Sequence, residues 1–183
     1  WAADILRKCP AFDEVVVYNP RNSCACAACE KAADPLGAVR GFLQEVRAGL
    51  RKVRPDAKLG AVYNAVPSWF DAMKDAVDVP HPYLFVSEEA DFAADMYAAR
   101  AVLDAARQPG PALAKLPWGP DDRVTDARLE EFVKLAREKK IPYWIWTYDD
   151  AFLNATYDVP RLCRALGVPP CPVAALVPKL GGR

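Results

Sequence analysis

Five short runs rich in β-branched or aromatic residues alternate with longer stretches of helical periodicity along this 183-residue chain. This alternation is typical of repeated βα units that build a parallel sheet, and it constrains the fold more than any other feature. The predicted strands are Glu14–Tyr18, Lys58–Tyr63, Tyr83–Val86, Ala112–Leu116 and Pro142–Trp146.

The helical stretches are marked by apolar residues that recur at spacings of three and four. After the first strand, six such residues form one apolar stripe, which predicts a helix packed on the sheet. They are Leu36, Val39, Leu43, Val46, Leu50 and Val53. Proline or glycine separates most of the other helical segments. These segments are Ala2–Lys8, as the end of a helix leading into the first strand, then Ser68–Ala76, Phe92–Ala106, Thr125–Lys139 and Val159–Leu166.

Two architectures fit five βα units. An open, doubly wound sheet of flavodoxin type predicts a glycine-rich phosphate loop after the first strand, but residues 19–23 contain no glycine. We therefore predict an α/β fold, a parallel β/α repeat of five units that resembles the C-terminal part of a TIM-type (β/α)8 barrel. The flavodoxin-like sheet is the alternative.

Five units are too few to close such a barrel. We expect residues 1–183 to form a single β/α domain that is a fragment of a longer barrel-containing chain. A five-stranded arc leaves open edges and an uncovered apolar face. The expected partner that covers them is the missing N-terminal part of the barrel or a second subunit.

Charge and hydropathy exclude two classes of partner. The 24 Lys and Arg residues balance the 24 Asp and Glu residues, and their interleaving argues against the basic surface that nucleic-acid binding needs. No apolar run approaches the ~18 residues needed to cross a bilayer. We expect neither nucleic acid nor a membrane as a partner.

The chain contains one histidine, His81, which lies between two prolines. We interpret it as a structural residue in a loop that enters the third strand. In α/β folds, sites cluster at the opposite, carboxyl ends of the strands. We therefore expect no Ser-His-Asp triad and no Cys-His dyad, and a single histidine excludes multi-histidine metal sites. Any chemistry therefore depends on carboxylate, lysine, tyrosine or cysteine side chains, and we expect no cofactor.

Polar and aromatic residues follow all five predicted strands. In a barrel the loops at the carboxyl ends of the strands form the site together. Amide and carboxylate groups can hydrogen-bond sugar hydroxyls, and aromatic rings can stack on the C–H faces of a sugar. The predicted substrate-binding residues are Asn19, Asn64, Trp69, Lys115, Trp118, Tyr148 and Asp150.

Glycoside hydrolysis needs two carboxyl groups on opposite sides of the scissile bond. Our candidates for this catalytic pair are Glu88, after the third strand, and Asp149, after the fifth. Two structural interpretations stay open: Glu88 starts the next helix together with its acidic neighbours, and Asp149 belongs to a turn or helix cap.

Lys115 supports a different reaction class. It lies within an otherwise apolar strand, and a buried lysine with a lowered pKa can form a Schiff base with a carbonyl substrate. A lysine-dependent, aldolase-like lyase is therefore an alternative to the hydrolase. A lysine that extends to the rim of the site and binds a substrate carboxylate fits the sequence equally well.

Six cysteines leave three states open. Cys24, Cys26 and Cys29 form a CxCxxC run after the first strand, which is not a usual zinc spacing but could hold Zn²⁺ with a fourth ligand. Three disulfides are the state that we favour, with Cys163 paired to Cys171 and Cys9 to one member of the run, and free thiols are the third.

Several of these segments resemble a known group of proteins. A polar strand end with CxCxxC, a long helix ending in the segment 54–58 (RPDAK) and a strand closing in the segment 63–65 (YNA) resemble the barrel domain of uncharacterised secreted bacterial proteins. These proteins are related to α-glucuronidases and family 20 hexosaminidases. The segment 145–150 (IWTYDD) is similar to the last strand of several glycosidase barrels.

The resemblance implies a (β/α)8 barrel that acts on or binds carbohydrate, in a secreted or periplasmic protein. Family 20 enzymes carry an Asp-Glu pair after the fourth strand, where this chain has Tyr18-Asn19. A non-catalytic carbohydrate-binding or interaction domain is therefore also open.

Overall fold

The computed structural model describes residues 2–8, 11–18, 34–64, 67–116 and 124–146, together with residues 164 and 167. Five helices and five strands alternate along these segments in the predicted order. They are α1 (Ala2–Lys8), β1 (Glu14–Tyr18), α2 (Pro35–Val53), β2 (Lys58–Asn64), α3 (Pro67–Met73), β3 (Val79–Phe85), α4 (Phe92–Ala105), β4 (Ala112–Lys115), α5 (Asp126–Glu138) and β5 (Tyr143–Trp146).

The five strands are parallel and form one sheet in the order β1-β2-β3-β4-β5. Each strand lies beside the next one in the sequence, which is the order found in barrels. A flavodoxin-like sheet would place β2 at the edge and β1 inside, so that alternative is wrong. The fold is an α/β parallel repeat consistent with part of a TIM barrel.

The third strand differs most from its prediction. It spans Val79–Phe85 rather than Tyr83–Val86, and the interpretation of His81 as a loop residue is wrong. Two prolines that lack an N–H argue against a strand interior, but the carbonyl group of Pro80 still accepts a hydrogen bond from the Gly110 N–H at 3.1 Å. Pro80 and Pro82 therefore lie within a strand and do not form a loop at this position.

The remaining boundaries agree with the predictions within a few residues. The predicted helix Val159–Leu166 lies largely outside the described residues. None of the helices described is both long enough and apolar enough to span a bilayer.

Two compact units make up the chain. Unit 1 comprises Trp1–Tyr83 and Ala98–Ala112, and unit 2 comprises Leu84–Tyr97 and Leu113–Arg183. In unit 1 the core lies between the sheet and the helices: Leu43 and Leu50 of α2 are fully buried against Val15, Leu59 and Ala61. We call this side of β1 and β2 the core face.

Specific polar contacts fix α2 at its start and along its length. The Asp34 carboxylate caps the helix by accepting from the Gly37 N–H at 2.9 Å, as sequence preferences at helix N-termini suggest. Farther along, Arg47 and Arg51 contact the Asp78 carboxylate at 2.6 and 2.9 Å. The other oxygen of Asp78 accepts from the Leu59 N–H, so this carboxylate links α2 to β2.

In unit 2 the core is built around α5. Phe132 is fully buried, with its ring edge-on to Phe92 at 5.6 Å and to Tyr143 at 5.1 Å between centroids. The helix begins at Thr125, whose hydroxyl oxygen accepts from the Arg128 N–H. The start of α5 lies beside the loop that follows β3, because the backbone N–H of Thr125 donates to Glu88 Oε1 in that loop.

Candidate functional site

The side of the sheet in unit 1 that is turned away from the core face carries the candidate site. Side chains alternate between the two faces of a strand, so the neighbours of Val15, Leu59 and Ala61 point the other way. Register pairs Val16 with Gly60 and Tyr18 with Val62, and Val62 with His81. We call this surface the opposite face; it consists of Glu14, Val16, Tyr18, Gly60, Val62, His81 and Tyr83.

At the carboxyl ends of the strands, the opposite face presents two tyrosines. Tyr18, the last residue of β1, is 45% exposed. Its ring meets that of Tyr83 on β3 edge-on, with 6.2 Å between centroids and a 66° angle between planes. An exposed ring held by a second aromatic ring is a rigid, partly apolar surface with polar hydroxyl groups.

At the amino ends of the same strands, the opposite face is closed around His81. The imidazole is fully buried, and its Nδ1 lies 2.9 Å from the carbonyl oxygen of Pro111. Because a carbonyl only accepts, the ring donates from Nδ1. Its Nε2 lies 2.7 Å from the Glu14 carboxylate, so both ring nitrogens have partners and His81 is a structural residue.

Two glycines make room for this imidazole. A Cβ atom at Gly60 would lie 2.0 Å from Glu14 Oε1 and 3.0 Å from His81 Nε2. A Cβ atom at Gly110 would lie 2.4–2.5 Å from the other edge of the ring. The imidazole fits in this position because neither Gly60 nor Gly110 carries a side chain.

The predicted substrate-binding residues of β2 have different outcomes. Asn64 is the last residue of the strand, and its side chain is outside the described part. Trp69 lies in the first turn of α3, half-buried, and stacks on Tyr63 at 4.1 Å. Tyr63 belongs to the core cluster, so this tryptophan packs against the core rather than standing in a loop.

The Tyr63 hydroxyl group is buried and has no hydrogen-bond partner among the described residues. Burial raises the pKa of this phenol well above its usual range. Tyr63 is therefore a neutral core residue.

In unit 2, Glu88 lies in the loop between β3 and α4 and is exposed. Its Oε1 accepts from the backbone N–H of Thr125 at 2.6 Å. The helix start belongs instead to Asp91, whose carboxylate accepts from the Ala94 N–H at 3.1 Å. The predicted carboxylate is thus on a loop at the carboxyl end of a strand, attached to the start of α5.

One carboxylate was missed by the sequence analysis. Asp95 lies in the first turn of α4, and burial raises the pKa of its carboxyl group, with a further contribution from the charge of Asp91. Its spacing of four from Asp91 was visible in the sequence, but its burial depends on tertiary packing.

Two more residues of unit 2 lie at strand ends. Lys115 ends β4 and is half-buried, so its proposed Schiff-base chemistry stays a prediction. Trp144 on β5 is 47% exposed, whereas the neighbouring Tyr143 packs on Phe132. Alternation along the strand therefore turns Trp144 away from α5.

Several predicted residues lie outside the described part of the chain. They are Asn19, Trp118, Tyr148, Asp149, Asp150 and all six cysteines, including the zinc candidates Cys24, Cys26 and Cys29. Within the described part, no group of three or more His, Cys, Asp or Glu side chains is arranged to hold a metal ion.

Comparison with known proteins identifies the fold. No family model matches the chain, and no curated protein does. Among solved structures, the chain is similar to the Ignisphaera aggregans GH53 catalytic domain, with a TM-score of 0.54 and 10% identity over 80% of this chain and 51% of that one. It is also similar to bee venom hyaluronidase in complex with a hyaluronic acid tetramer, with a TM-score of 0.46 and 14% identity over 81% of this chain and 53% of that one.

The chain thus spans about half the length of the solved structures it matches. At such low identity, the similarity to the GH53 domain shows the fold alone. It agrees with the strand order in identifying the chain as a β/α repeat of the barrel type.

Proposed function

We propose that this chain is part of a carbohydrate-active barrel that binds sugar at the carboxyl ends of its strands. The observation that carries the proposal is the pair of Tyr18 and Tyr83 on the opposite face of unit 1. Tyr18 is exposed, and the ring of Tyr83 meets it edge-on, so two phenol rings lie side by side at this end of the strands. This combination suits the alternating C–H and O–H groups of a pyranose.

The carboxyl ends of the strands are the usual place for a site in barrels. At the opposite, amino ends in unit 1, the opposite face carries the buried His81–Glu14 pair. The barrel-type fold of the GH53 domain supports the proposal by analogy, because fold alone does not determine function.

Binding tests the proposal. Wild-type protein is titrated by calorimetry with soluble gluco-, xylo-, galacto- and chito-oligosaccharides, and the best ligand is then used with Tyr18→Ala and Tyr83→Ala. Loss of one stacking surface should weaken binding about tenfold, or ~1.4 kcal/mol. The matched control is Tyr97→Ala, which removes a tyrosine that is 75% exposed on α4.

We expect Tyr97→Ala to bind as the wild type does. If Tyr18→Ala binds every oligosaccharide as tightly as the control, the tyrosine pair is not the binding surface. If no oligosaccharide binds at all, carbohydrate binding by this chain is excluded for those sugars.

We further propose that the domain hydrolyses glycosides with Glu88 and Asp149 as the carboxylate pair. Glu88→Gln is a favourable test because an amide oxygen can still accept from the Thr125 N–H, so the loop contact is kept while the charge is removed. Hydrolysis of aryl glycosides should fall by about 10²- to 10⁴-fold. Asp149→Asn should have an effect of the same size.

Glu89→Gln is the control, since Glu89 is an exposed neighbour in the same loop. Turnover by Glu88→Gln equal to that of Glu89→Gln would exclude Glu88 from catalysis. Binding without hydrolysis by the wild type would reduce the function to carbohydrate recognition.

A further inference from the structure

The loop that carries Glu88 is held from both sides of that residue. At its start, the Val86 N–H donates to the carbonyl oxygen of Lys115 at 2.9 Å. At its end, Asp91 caps α4. Between these points, Glu88 and Glu89 are exposed, so other contacts must determine their geometry.

Arg128, in the first turn of α5, supplies such contacts. One guanidinium nitrogen donates to the carbonyl oxygens of Ser87 at 3.3 Å and Ala90 at 2.5 Å, which lie on either side of the two glutamates. The guanidinium carbon lies over the Phe92 ring, 4.0 Å from its centroid. A planar group with several donors can make these contacts together, whereas a lysine ammonium group cannot reproduce all of them.

The side chain of Arg128 is itself fixed on its own helix. It forms an ion pair with Glu131 one turn later. The loop contacts are part-buried, and hydrogen bonds to a charged donor in such places are stronger than exposed ones. Arg128 therefore ties the backbone of the loop to a rigid element.

Thr125 holds the side chain of Glu88 in a complementary way. Its backbone N–H donates to Glu88 Oε1 at 2.6 Å. Glu88 Oε2 makes no hydrogen bond to any residue in the described part of unit 2. The backbone and one carboxylate oxygen are thus fixed to the same turn of α5.

We infer that Arg128 is a positioning residue that, together with the Thr125 N–H, fixes the orientation of the Glu88 carboxylate for reaction with a glycoside. This inference rests on the proposed function of Glu88. Contacts from α5, and not from β3, thus determine the position and orientation of the Glu88 carboxylate.

Two readouts test the role of Arg128. Arg128→Gln and Arg128→Lys are compared with Arg137→Gln, which removes a different arginine of α5. In Arg128→Gln, hydrogen exchange of the amides of residues 87–91 should rise by about tenfold or more. With an aryl glycoside, kcat should fall by about 10- to 100-fold while KM changes by less than about threefold, since a small misplacement of a catalytic group costs mainly turnover.

The fall in log kcat of Arg128→Lys, relative to the wild type, should be more than half of the fall seen in Arg128→Gln. Arg137→Gln should leave both readouts as in the wild type. Unchanged exchange of residues 87–91 in Arg128→Gln would overturn the inference. A rise in KM with unchanged kcat would overturn it too.

The Thr125 N–H is tested separately, in case Arg128 variants unfold. Thr125 has φ −69°, which suits proline, so Thr125→Pro removes the donor with the local backbone angle kept. Thr125→Ala removes the hydroxyl cap and keeps the N–H. The fall in kcat should be at least about tenfold larger in Thr125→Pro than in Thr125→Ala; equal falls would contradict the role of the N–H.

Failure of the proposed function gives a different pattern. A wild type that hydrolyses no aryl glycoside excludes Glu88 as a catalytic group for those substrates. Exchange of residues 87–91 in Arg128→Gln is measured without substrate and still decides whether Arg128 fixes the loop.

Discussion

The two ends of the opposite face in unit 1 are built from different chemistry. At the amino ends of the strands, a fully buried imidazole has an acceptor at each ring nitrogen and a glycine on each side. At the carboxyl ends, only two residues farther along β3, Tyr83 supports a ring that is exposed to solvent. The same face is therefore closed and satisfied at one end and open at the other.

This difference suggests that the two ends of the strands contribute differently to stability and to ligand binding. Removing a group from the closed end leaves a buried polar partner without its hydrogen bond, which costs free energy of unfolding. Removing the Tyr18 ring from the open end should cost less stability, because nearly half of that residue's surface is already exposed to water. We therefore expect stability to depend on the amino ends and ligand binding on the carboxyl ends, as is usual in barrels.

The strongest test of this comparison is His81→Ala. The change removes both hydrogen bonds, leaves a cavity beside Gly60 and Gly110, and deprives Glu14 of its partner. We expect the free energy of unfolding to fall by about 3–4 kcal/mol, measured by urea denaturation with circular dichroism. A loss below ~1 kcal/mol would show that the closed end does not carry the stability of unit 1.

Gly110→Ala tests whether the fit around the imidazole matters as much as its hydrogen bonds. The new methyl group would overlap His81 and also Val79, and overpacking of this kind costs about 1–3 kcal/mol. In the His81→Ala background the overlap with the ring disappears. The cost of Gly110→Ala should then shrink by about 1 kcal/mol or more in a double-mutant cycle; strictly additive losses would contradict the proposed packing.

Two neighbouring valines on β1 allow the core face and the opposite face to be compared, because their side chains point to different faces of the sheet. Val15 is 6% exposed and packs on α2, whereas Val16 is 36% exposed. We expect Val15→Ala to cost about 2 kcal/mol and Val16→Ala less than ~1 kcal/mol, by the same denaturation assay. Equal losses would mean that the opposite face is covered at Val16 as well.

The smallest expected effect on stability concerns Asp95, a carboxylate that, unlike Glu14, has no histidine partner. Asp95 makes no hydrogen bond through its side chain within the described residues, and burial raises its pKa. With the folded pKa above the unfolded one, the folded state binds more protons between the two values. Stability should therefore fall as pH rises through that interval.

Asp95→Asn removes this penalty. At pH 7 its midpoint of thermal unfolding should exceed that of the wild type by ~1–2 °C, a modest gain because the group is partly solvated. Below about pH 3, well under the ordinary Asp pKa of about 3.9, the carboxyl is largely protonated in both states and the gain should vanish. A gain that is the same at both pH values would assign it to packing and not to charge.

The prediction of elements from the sequence succeeded where periodicity was strong. The stripe that includes Leu43 and Leu50 predicted α2 and its buried side, because a helix of this length can bury only one face. The prediction failed at β3, where Pro80 and Pro82 suggested a loop. Neighbouring strands and Gly110 provide the backbone partners that let this segment be extended.

In the candidate site, too, some features could be predicted from the sequence and others could not. Placing Glu88 after a strand end was correct from the sequence alone, because strand and helix patterns flank it. Its contact with Thr125 joins residues 37 positions apart, and Arg128 reaches the loop across a similar distance. No local pattern indicates which helix start will meet which loop, so these contacts could not be predicted.

By itself the sequence determined the order of strands and helices and the parallel sheet, since these follow from local periodicity and composition. The tertiary structure decided that His81 is buried beside Glu14, that Tyr83 supports Tyr18, and that Arg128 holds the loop of Glu88. Each of these depends on the register and packing of segments far apart in the chain. Burial and hydrogen bonding are properties of such neighbours, and residue order alone does not specify them.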